Sequence, residues 1–270
     1  MANTSGKQLA VGLRRAVLFA LDTNGYPAAS ATTVYEGIEI EGPKAFSLTI
    51  PEARKISHTG NDRVLALDYL PPLEGVSGEL RVASNDIVAK ALVSAVNTFL
   101  IAEANLMPWG TDKQGSEVDL GALLFQQSLD TSTKSRRWKF YLIPKARVIP
   151  APASMDENPA EDLYRMAPNP TTKHLWGTAL VSGTEGATEM ALAEGMSEGK
   201  PNIIAFKGDA SATAFTLPTA KPATATAKMK VWKNGTAQTV GSGLSALTVT
   251  TVTFSSAPAA GDMVVVFYEY

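Results

Sequence analysis

Segments with the spacing of β-strands set the strongest limit on the fold of this chain. They occur at residues 33–41, 44–50, 79–83 and 136–144, and the segment 9–21, with its apolar run, is predicted to be a further strand. Successive side chains of a strand point to opposite faces, so alternation of apolar and polar residues predicts a strand with one buried and one open face. Residues 33–41 and 44–50 are separated by a short turn and are predicted to form a hairpin, with Val34, Ile38 and Ile40 on one face. The chain is therefore predicted to be mainly β.

One segment has a helical period instead. Apolar residues recur at i, i+3 and i+4 from Ile87 to Leu100, and Ser84 or Asn85 can cap the first turn through a side-chain oxygen. This pattern predicts a single helix packed against a sheet.

The composition excludes several classes of protein. The chain has 270 residues, 45% of them hydrophobic, a net charge of −2 and no cysteine. It can build a sizeable core, but disulfides, thiolate nucleophiles and cysteine-ligated zinc are excluded, and it is not a globally basic nucleic-acid binder. His58 and His174 are the only histidines. No metal ion or cofactor is expected.

Neither apolar stretch of the N-terminal half predicts targeting to a membrane. Arg14 and Arg15 precede an apolar run at residues 16–21, which Asp22 ends too early for a signal peptide. The apolar region at residues 86–106 is interrupted by two charged residues, so membrane insertion is not expected. We expect a soluble protein.

A charged stretch raises the question of catalysis. Asp62, Arg63 and Asp68 follow His58 within residues 51–78, which are rich in proline and glycine and are predicted to be a long connection. One hypothesis pairs an aspartate with the histidine as acid and base. The other makes the stretch an assembly loop held by charge pairs. We favour assembly, because the chain contains no G-x-S-x-G, P-loop or H-E-x-x-H motif. No enzymatic activity is expected.

Three further patterns mimic binding sites. Gly241, Gly243 and Ala246 imitate a dinucleotide fingerprint, but the segment lies between predicted strands with no helix to follow. Acidic residues at 156–162 do not have EF-hand spacing, and a solvated loop is predicted there. A basic cluster could touch DNA phosphates, although ion pairs between subunits are favoured; it comprises Arg136, Arg137, Lys139 and Lys145.

A change in composition indicates two domains. Residues 207–270 carry five lysines and three acidic residues, and are rich in Thr, Ala and Val, whereas the first 206 residues carry 19 basic and 23 acidic residues. The predicted domains are residues 1–204 and 205–270, and truncation after about Lys207 is predicted to leave folding and polymerisation of the first intact.

The second domain carries motifs of a known module. These are Phe215 to Leu217, the hairpin Val231 to Gly235, the turn region Val252 to Asp262 and the terminal strand Val264 to Tyr270. Asn234-Gly235 is by itself a type I′ hairpin signal. In these motifs the segment resembles the small immunoglobulin-like β modules of phage tail fibres and other phage surface proteins. The resemblance implies a β-sandwich decoration module.

The first domain resembles the major tail tube protein of long-tailed phages. The residues that carry the resemblance are "RAVLFALD-NG", "YEGIEIEGPKAFSLTIPEARKISHTGNDRVLALDYLPP" and the helix that begins "SND". The resemblance implies a β-sandwich or barrel with one packed helix, in a subunit that forms stacked, hexameric rings. Such a tube is a virion tail component, assembled in the host cytoplasm, through which double-stranded DNA passes without specific binding.

The resemblance also implies partners and surfaces. The partners are further copies of the chain, the tape measure protein, the tail terminator and the baseplate or distal tail proteins. Expected ring contacts are Asp62, Arg63, Asp68, Arg54 and Lys55. Glu39 and Glu41 are candidates to face the lumen, where acidic side chains repel DNA phosphates. The alternative function is a phage adhesin or carbohydrate-binding virion protein that binds host-surface glycans through the C-terminal module.

Overall fold

The computed structural model describes residues 8–22, 25–29, 34–49, 54–60, 63–70, 77–83, 87–93, 99–101, 104–106, 119–130, 136–150, 162–169, 173–174, 178–179, 189–193 and 200–270. Strands dominate this part of the chain, and one short α-helix accompanies them. The prediction of a mainly β protein is therefore confirmed. No helix among these residues is long and apolar enough to cross a membrane.

The elements before residue 194 are, in chain order, β1 (Gln8–Ala20), β2 (Ile38–Ile40), β3 (Pro43–Thr49), β4 (Arg54–Gly60), β5 (Arg63–Leu70), β6 (Ser77–Val82), α1 (Ile87–Val93), β7 (Phe99–Ile101), β8 (Ala104–Leu106), β9 (Asp119–Asp130), β10 (Arg136–Pro150), β11 (Asp162–Pro168), β12 (Lys173–His174), β13 (Thr178–Ala179) and β14 (Glu189–Ala193). Those from residue 200 on are β15 (Pro201–Lys207), β16 (Ala214–Thr216), a 3₁₀ turn (Thr226–Lys228), β17 (Lys230–Lys233), β18 (Thr236–Val240), β19 (Gly243–Leu247), β20 (Thr251–Phe254) and β21 (Met263–Glu269).

The first large sheet has the order β2-β1-β9-β10-β11-β6-β3, and all of its neighbouring strands are antiparallel. Strand β10 is long enough to pair with β14 along its first part and with β11 along its second. The two edge strands, β2 and β3, are separated in the chain only by Glu41 and Gly42. The sheet must therefore curl until its edges meet.

The inside of the curl holds one apolar core. Alternate residues of the sheet strands point into it, and α1 contributes Ala89 and Val93, which are almost completely buried. Partly buried side chains from both edge strands, Ile38 of β2 and Phe46 of β3, pack against the same core. The predicted packing of one helix against the sheet is thus confirmed.

Several predictions about local elements are wrong in detail. The segments 33–41 and 44–50 do not form a hairpin, because β2 pairs with β1 and β3 pairs with β6. The helix does not extend to Leu100 as a single element, since residues 99–101 form β7, which pairs with β8. Within the predicted connection 51–78, β4 and β5 pair as a two-stranded sheet.

Val34 does not share a face with Ile38 and Ile40. Val34 packs against a core within the C-terminal part, whereas the two isoleucines pack inside the first sheet. The chain changes direction at Gly37, whose φ of 72° is the left-handed conformation that glycine tolerates. A Cβ there would lie 2.7 Å from the carbonyl oxygen of Leu18, so a side chain does not fit.

The second large sheet follows the order β15-β21-β17-β18-β19-β20-β16. Its path bends at Gly241 and Gly243, which have φ of 86° and 94°. Side chains from both halves meet in one core, for example Phe206 of β15 and Phe215 of β16, whose ring centroids are 5.2 Å apart. The small β-sandwich is thus an accurate prediction of the C-terminal architecture. The tight turn at Asn234 and Gly235, with φ of 46° and 74°, is the predicted type I′ hairpin.

A third core joins the two large sheets. The outer face of the first sheet contributes Val17, Phe19, Leu123, Phe125, Trp138, Phe140 and Leu142, and the C-terminal sheet contributes Ile203, Ala205, Met263, Val265 and Phe267. Alternate residues of β15 and β21 face this shared core and the core of the sandwich, so both strands are buried on both faces.

The shared core bears on the predicted domain organisation. The boundary between residues 204 and 205 falls inside β15, which pairs along its whole length with β21. Residues 201–204 therefore belong to the C-terminal sheet. The two parts of the chain have distinct sheets, but they pack against each other through an extensive apolar face.

Candidate functional site

The hairpin β4–β5 carries four of the five residues expected to contact a neighbouring ring. Strands β3 and β6 pair as far as Thr49 and Ser77, and the intervening chain contains the hairpin. Within the described residues, β4 and β5 pair only with each other. We call residues 54–70 the arm. Its position between two paired strands makes it an insertion at one edge of the curled sheet.

The register of the arm separates charges that are close in sequence. Arg63 pairs with Gly60 at the closed end, whereas Asp68 pairs with Ile56, beside Lys55 and two positions from Arg54. At about 3.3 Å per residue, the five positions from Arg63 to Asp68 span roughly 16 Å along β5. The role of both residues in ring contacts stays a prediction. Asp62 lies outside the described residues, so its role stays a prediction.

The hypothesis of an acid and base pair concerns the same hairpin, since His58 lies on β4 and Asp68 on β5. His58 pairs with Ala66, two positions along the strand from Asp68. Among the described strands, none other pairs with β4 or β5, and the acid and base hypothesis stays untested.

The two glutamates predicted to face a lumen are placed differently. Glu41 lies in the bend between β2 and β3 and is exposed. Glu39 of β2 is bound within the chain, because its carboxylate accepts a hydrogen bond of 2.9 Å from the guanidinium of Arg15. Its side chain is 45% exposed, so one side of the carboxylate still meets solvent. The facing of both glutamates toward a lumen stays a prediction.

Arg15 is the centre of a polar cluster that sequence reasoning missed. It is only 5% exposed, although it lies on β1 among apolar neighbours. Besides Glu39, its guanidinium donates to the carbonyl oxygen of Pro201 at 2.5 Å and to Oδ1 of Asn202 at 3.2 Å. The charge also lies over the rings of Phe125 and Tyr270. A buried charge must be paired to be tolerated; Glu39 of β2 supplies the opposite charge, and β15 of the second sheet supplies two neutral oxygen acceptors.

The cluster extends into the C-terminal sheet. The amide of Asn202 donates to the hydroxyl of Tyr268 at 3.0 Å. Burial raises the pKa of Tyr268 to about 12, since the charged phenolate would be poorly solvated there. At the edge of the cluster, Lys221 forms an ion pair of 2.6 Å with Glu36. The sequence signal was a charged residue within a predicted strand beside an apolar run, but this signal names no partner.

The other charged groups do not converge. Lys145 of the basic cluster pairs with Asp119 at 3.0 Å, and Asp162 of the acidic group is buried in β11. In the described residues no group of three or more His, Asp or Glu side chains could hold a metal ion. Gly241 and Gly243 form the corner of the second sheet, and β19 follows them instead of a helix. The dinucleotide hypothesis therefore fails on geometry as well as on sequence.

Comparison with known proteins does not add a family. No model of a protein family matches the chain, and no curated protein matches it.

Proposed function

We propose that this chain is a structural virion protein, the major tail tube subunit of a long-tailed phage. Copies of it form stacked rings, which enclose a conduit for double-stranded DNA; the resemblance implies six copies to a ring. The observation that carries the proposal is the arm, a hairpin that leaves one edge of a curled sheet and pairs only with itself among the described residues. An arm of this kind supports contacts with a neighbouring copy.

Two further features support a structural role. The curled sheet is filled by side chains, so a passage would be formed between copies and not within one subunit. A hairpin that pairs only with itself among the described strands has two sheet edges, and pairing with a neighbouring copy would cover them. The partners then follow from the role: further copies of the chain, the proteins that begin and end the tube, and passing DNA.

The alternative of glycan binding through the C-terminal module has less support. Sugar-binding surfaces use exposed aromatic side chains, and residues 208–270 are all described. The aromatic residues there do not form an exposed group: Trp232 packs against the shared core, Tyr270 is partly buried against the core of the sandwich, and the others are buried, namely Phe215, Phe254, Phe267 and Tyr268. The module thus presents no exposed aromatic platform.

Electron microscopy of the purified protein tests the proposal directly. We expect rings or tubes in negative stain at high protein concentration. Arg63→Glu should block assembly without a change in the melting temperature, because a charge at an interface contributes little within one chain but leaves its partner unpaired between chains. Lys230→Glu is the matched control, since Lys230 is exposed on β17 and should tolerate the same charge reversal.

Two results would contradict the proposal. A protein that stays monomeric at high concentration, even with the proteins that initiate a tail, does not build a tube. Normal tubes from the Arg63→Glu variant would remove the arm from the interface. Binding to a glycan array without any polymerisation would favour the adhesin function instead.

A further inference from the structure

The turn between β17 and β18 contains a reactive pair of residues. In an Asn-Gly pair, the backbone nitrogen of the glycine can attack the asparagine side chain, because glycine has no side chain to hinder the approach. Asn234 and Gly235 form such a pair in an exposed two-residue turn. The fold must therefore either permit this reaction or restrain it.

The carboxamide of Asn234 is held at both of its polar atoms. Nδ2 donates to Oδ1 of Asp262 at 2.7 Å, and Oδ1 accepts from the backbone N–H of Met263 at 2.9 Å. The backbone N–H of Asn234 also donates to the carbonyl oxygen of Met263 at 2.8 Å. Asp262 is itself fixed, since its Oδ2 accepts from the N–H of Ala259 at 2.9 Å. These contacts direct the carboxamide toward the start of β21.

We propose that Asn234 is a site of spontaneous deamidation, which the hydrogen bonds to Asp262 and Met263 restrain until this corner of the sheet opens. In the reaction, the backbone nitrogen of Gly235 loses its proton and forms a bond to Cγ of Asn234, the bond from Cγ to Nδ2 breaks, and Nδ2 gains a proton and leaves as ammonia. Water then opens the succinimide, which gives aspartate or isoaspartate. To begin, the side chain must rotate away from β21 and lose both hydrogen bonds.

The product cannot restore the original turn. Deamidation replaces an N–H donor by a carboxylate oxygen, which would face the carboxylate of Asp262 at the position of a former 2.7 Å hydrogen bond. Two like charges at this distance repel each other. An isoaspartate also lengthens the backbone within a turn that has only two residues. Each opening event that leads to reaction therefore leaves a lasting defect beside β21, the strand that joins both cores.

Peptide mapping by mass spectrometry measures the reaction. The full chain is incubated in mildly alkaline buffer, folded or unfolded in guanidinium, and the mass increase at Asn234 is followed with time. The second Asn-Gly pair, Asn24-Gly25, provides the chemical reference within the unfolded sample. We expect both pairs to react at similar rates when unfolded, and Asn234 to react at least about tenfold more slowly when folded, given the net strength of two hydrogen bonds.

Variants separate restraint by Asp262 from general stability. Asp262→Ala should speed the reaction at Asn234 in the folded protein several-fold, whereas Asp262→Asn, which keeps an oxygen acceptor, should speed it less. Asp209→Ala is the matched control: Asp209 accepts from the N–H groups of Ser211 and Ala212 in another turn of the same sheet. Circular dichroism confirms that each variant is folded.

The proposal is overturned if folded and unfolded protein react equally fast at Asn234. It is also overturned if Asp262→Ala and Asp209→Ala give the same rate, because the hydrogen bond to Asp262 would then contribute no restraint.

Discussion

The contact between Phe140 and Phe267 offers the sharpest test of the shared core. Phe140 lies on β10 of the first sheet and Phe267 on β21 of the second, with ring centroids 5.3 Å apart. Phe267 is 5% exposed. Replacing a buried phenylalanine by alanine costs about 3–5 kcal/mol, so Phe267→Ala should lower the free energy of unfolding by an amount in this range.

A double-mutant cycle isolates the part of this loss that belongs to the pair. Phe140→Ala and the double variant complete the cycle. The coupling energy should be about 0.5–1.5 kcal/mol, the usual contribution of an aromatic pair beyond its buried area. Phe254→Ala is the control, since Phe254 is equally buried but lies in the core of the sandwich. It should cost a similar amount and should not couple to Phe140→Ala.

Urea unfolding followed by circular dichroism provides the energies, and hydrogen exchange provides the location. Phe267→Ala should reduce protection of the amides of β9 and β10, although the substitution is on β21. If the variant is too unstable to measure, Phe267→Leu gives the same comparison with a smaller loss. Zero coupling together with unchanged protection in β9 and β10 would mean that the two sheets fold as independent domains, and the reasoning would be refuted.

Three other outcomes follow from the same contacts. Deleting residues 208–270 removes β21 and uncovers the outer face of the first sheet. Exposing each large apolar side chain there costs about 1.5–3 kcal/mol, so the remaining chain should be insoluble, contrary to the independent first domain that the composition predicted. A soluble product that unfolds cooperatively would support the independent domain instead. Arg15→Met should cost about 1–3 kcal/mol in urea unfolding, because the buried side-chain oxygen of Asn202 loses its donor. Glu39→Gln, at a half-exposed carboxylate, should cost about 0–1 kcal/mol. A loss for Arg15→Met no larger than the loss for Glu39→Gln would argue against the buried cluster. The pKa of Tyr268 is raised to about 12 in the fold. The stabilisation that comes from keeping this hydroxyl protonated is therefore complete below pH 10 and is lost between pH 10 and 12, at about 1.4 kcal/mol per pH unit. Tyr268→Phe should lose less stability over that interval, and parallel plots of unfolding free energy against pH for variant and parent would contradict the burial of Tyr268.

Local features of this protein were determined by the sequence alone. The turn at Asn234 and Gly235 was predictable, because few residue pairs adopt two successive positive φ angles. The start of α1 at Ile87 was predictable from apolar residues that recur at i, i+3 and i+4. Strand β1 was predictable because its apolar run, which ends at Asp22, is too short for a signal peptide. Each of these depends on interactions within a few residues, and residue patterns report such interactions directly. Alternation likewise indicated strands, and hence a mainly β fold.

The pairing of strands and the shared core were decided by the tertiary structure. Periodicity shows that a strand has a buried face, but not which distant strand covers it, so the partners of β2 and β3 could not be predicted. The continuous apolar runs of β1 and β21 have no alternation because opposite faces enter different cores. Arg15 shows the same limit for polar groups. Its burial requires Asn202, 187 positions away in the chain, and only the packing of one sheet on the other brings the two residues together.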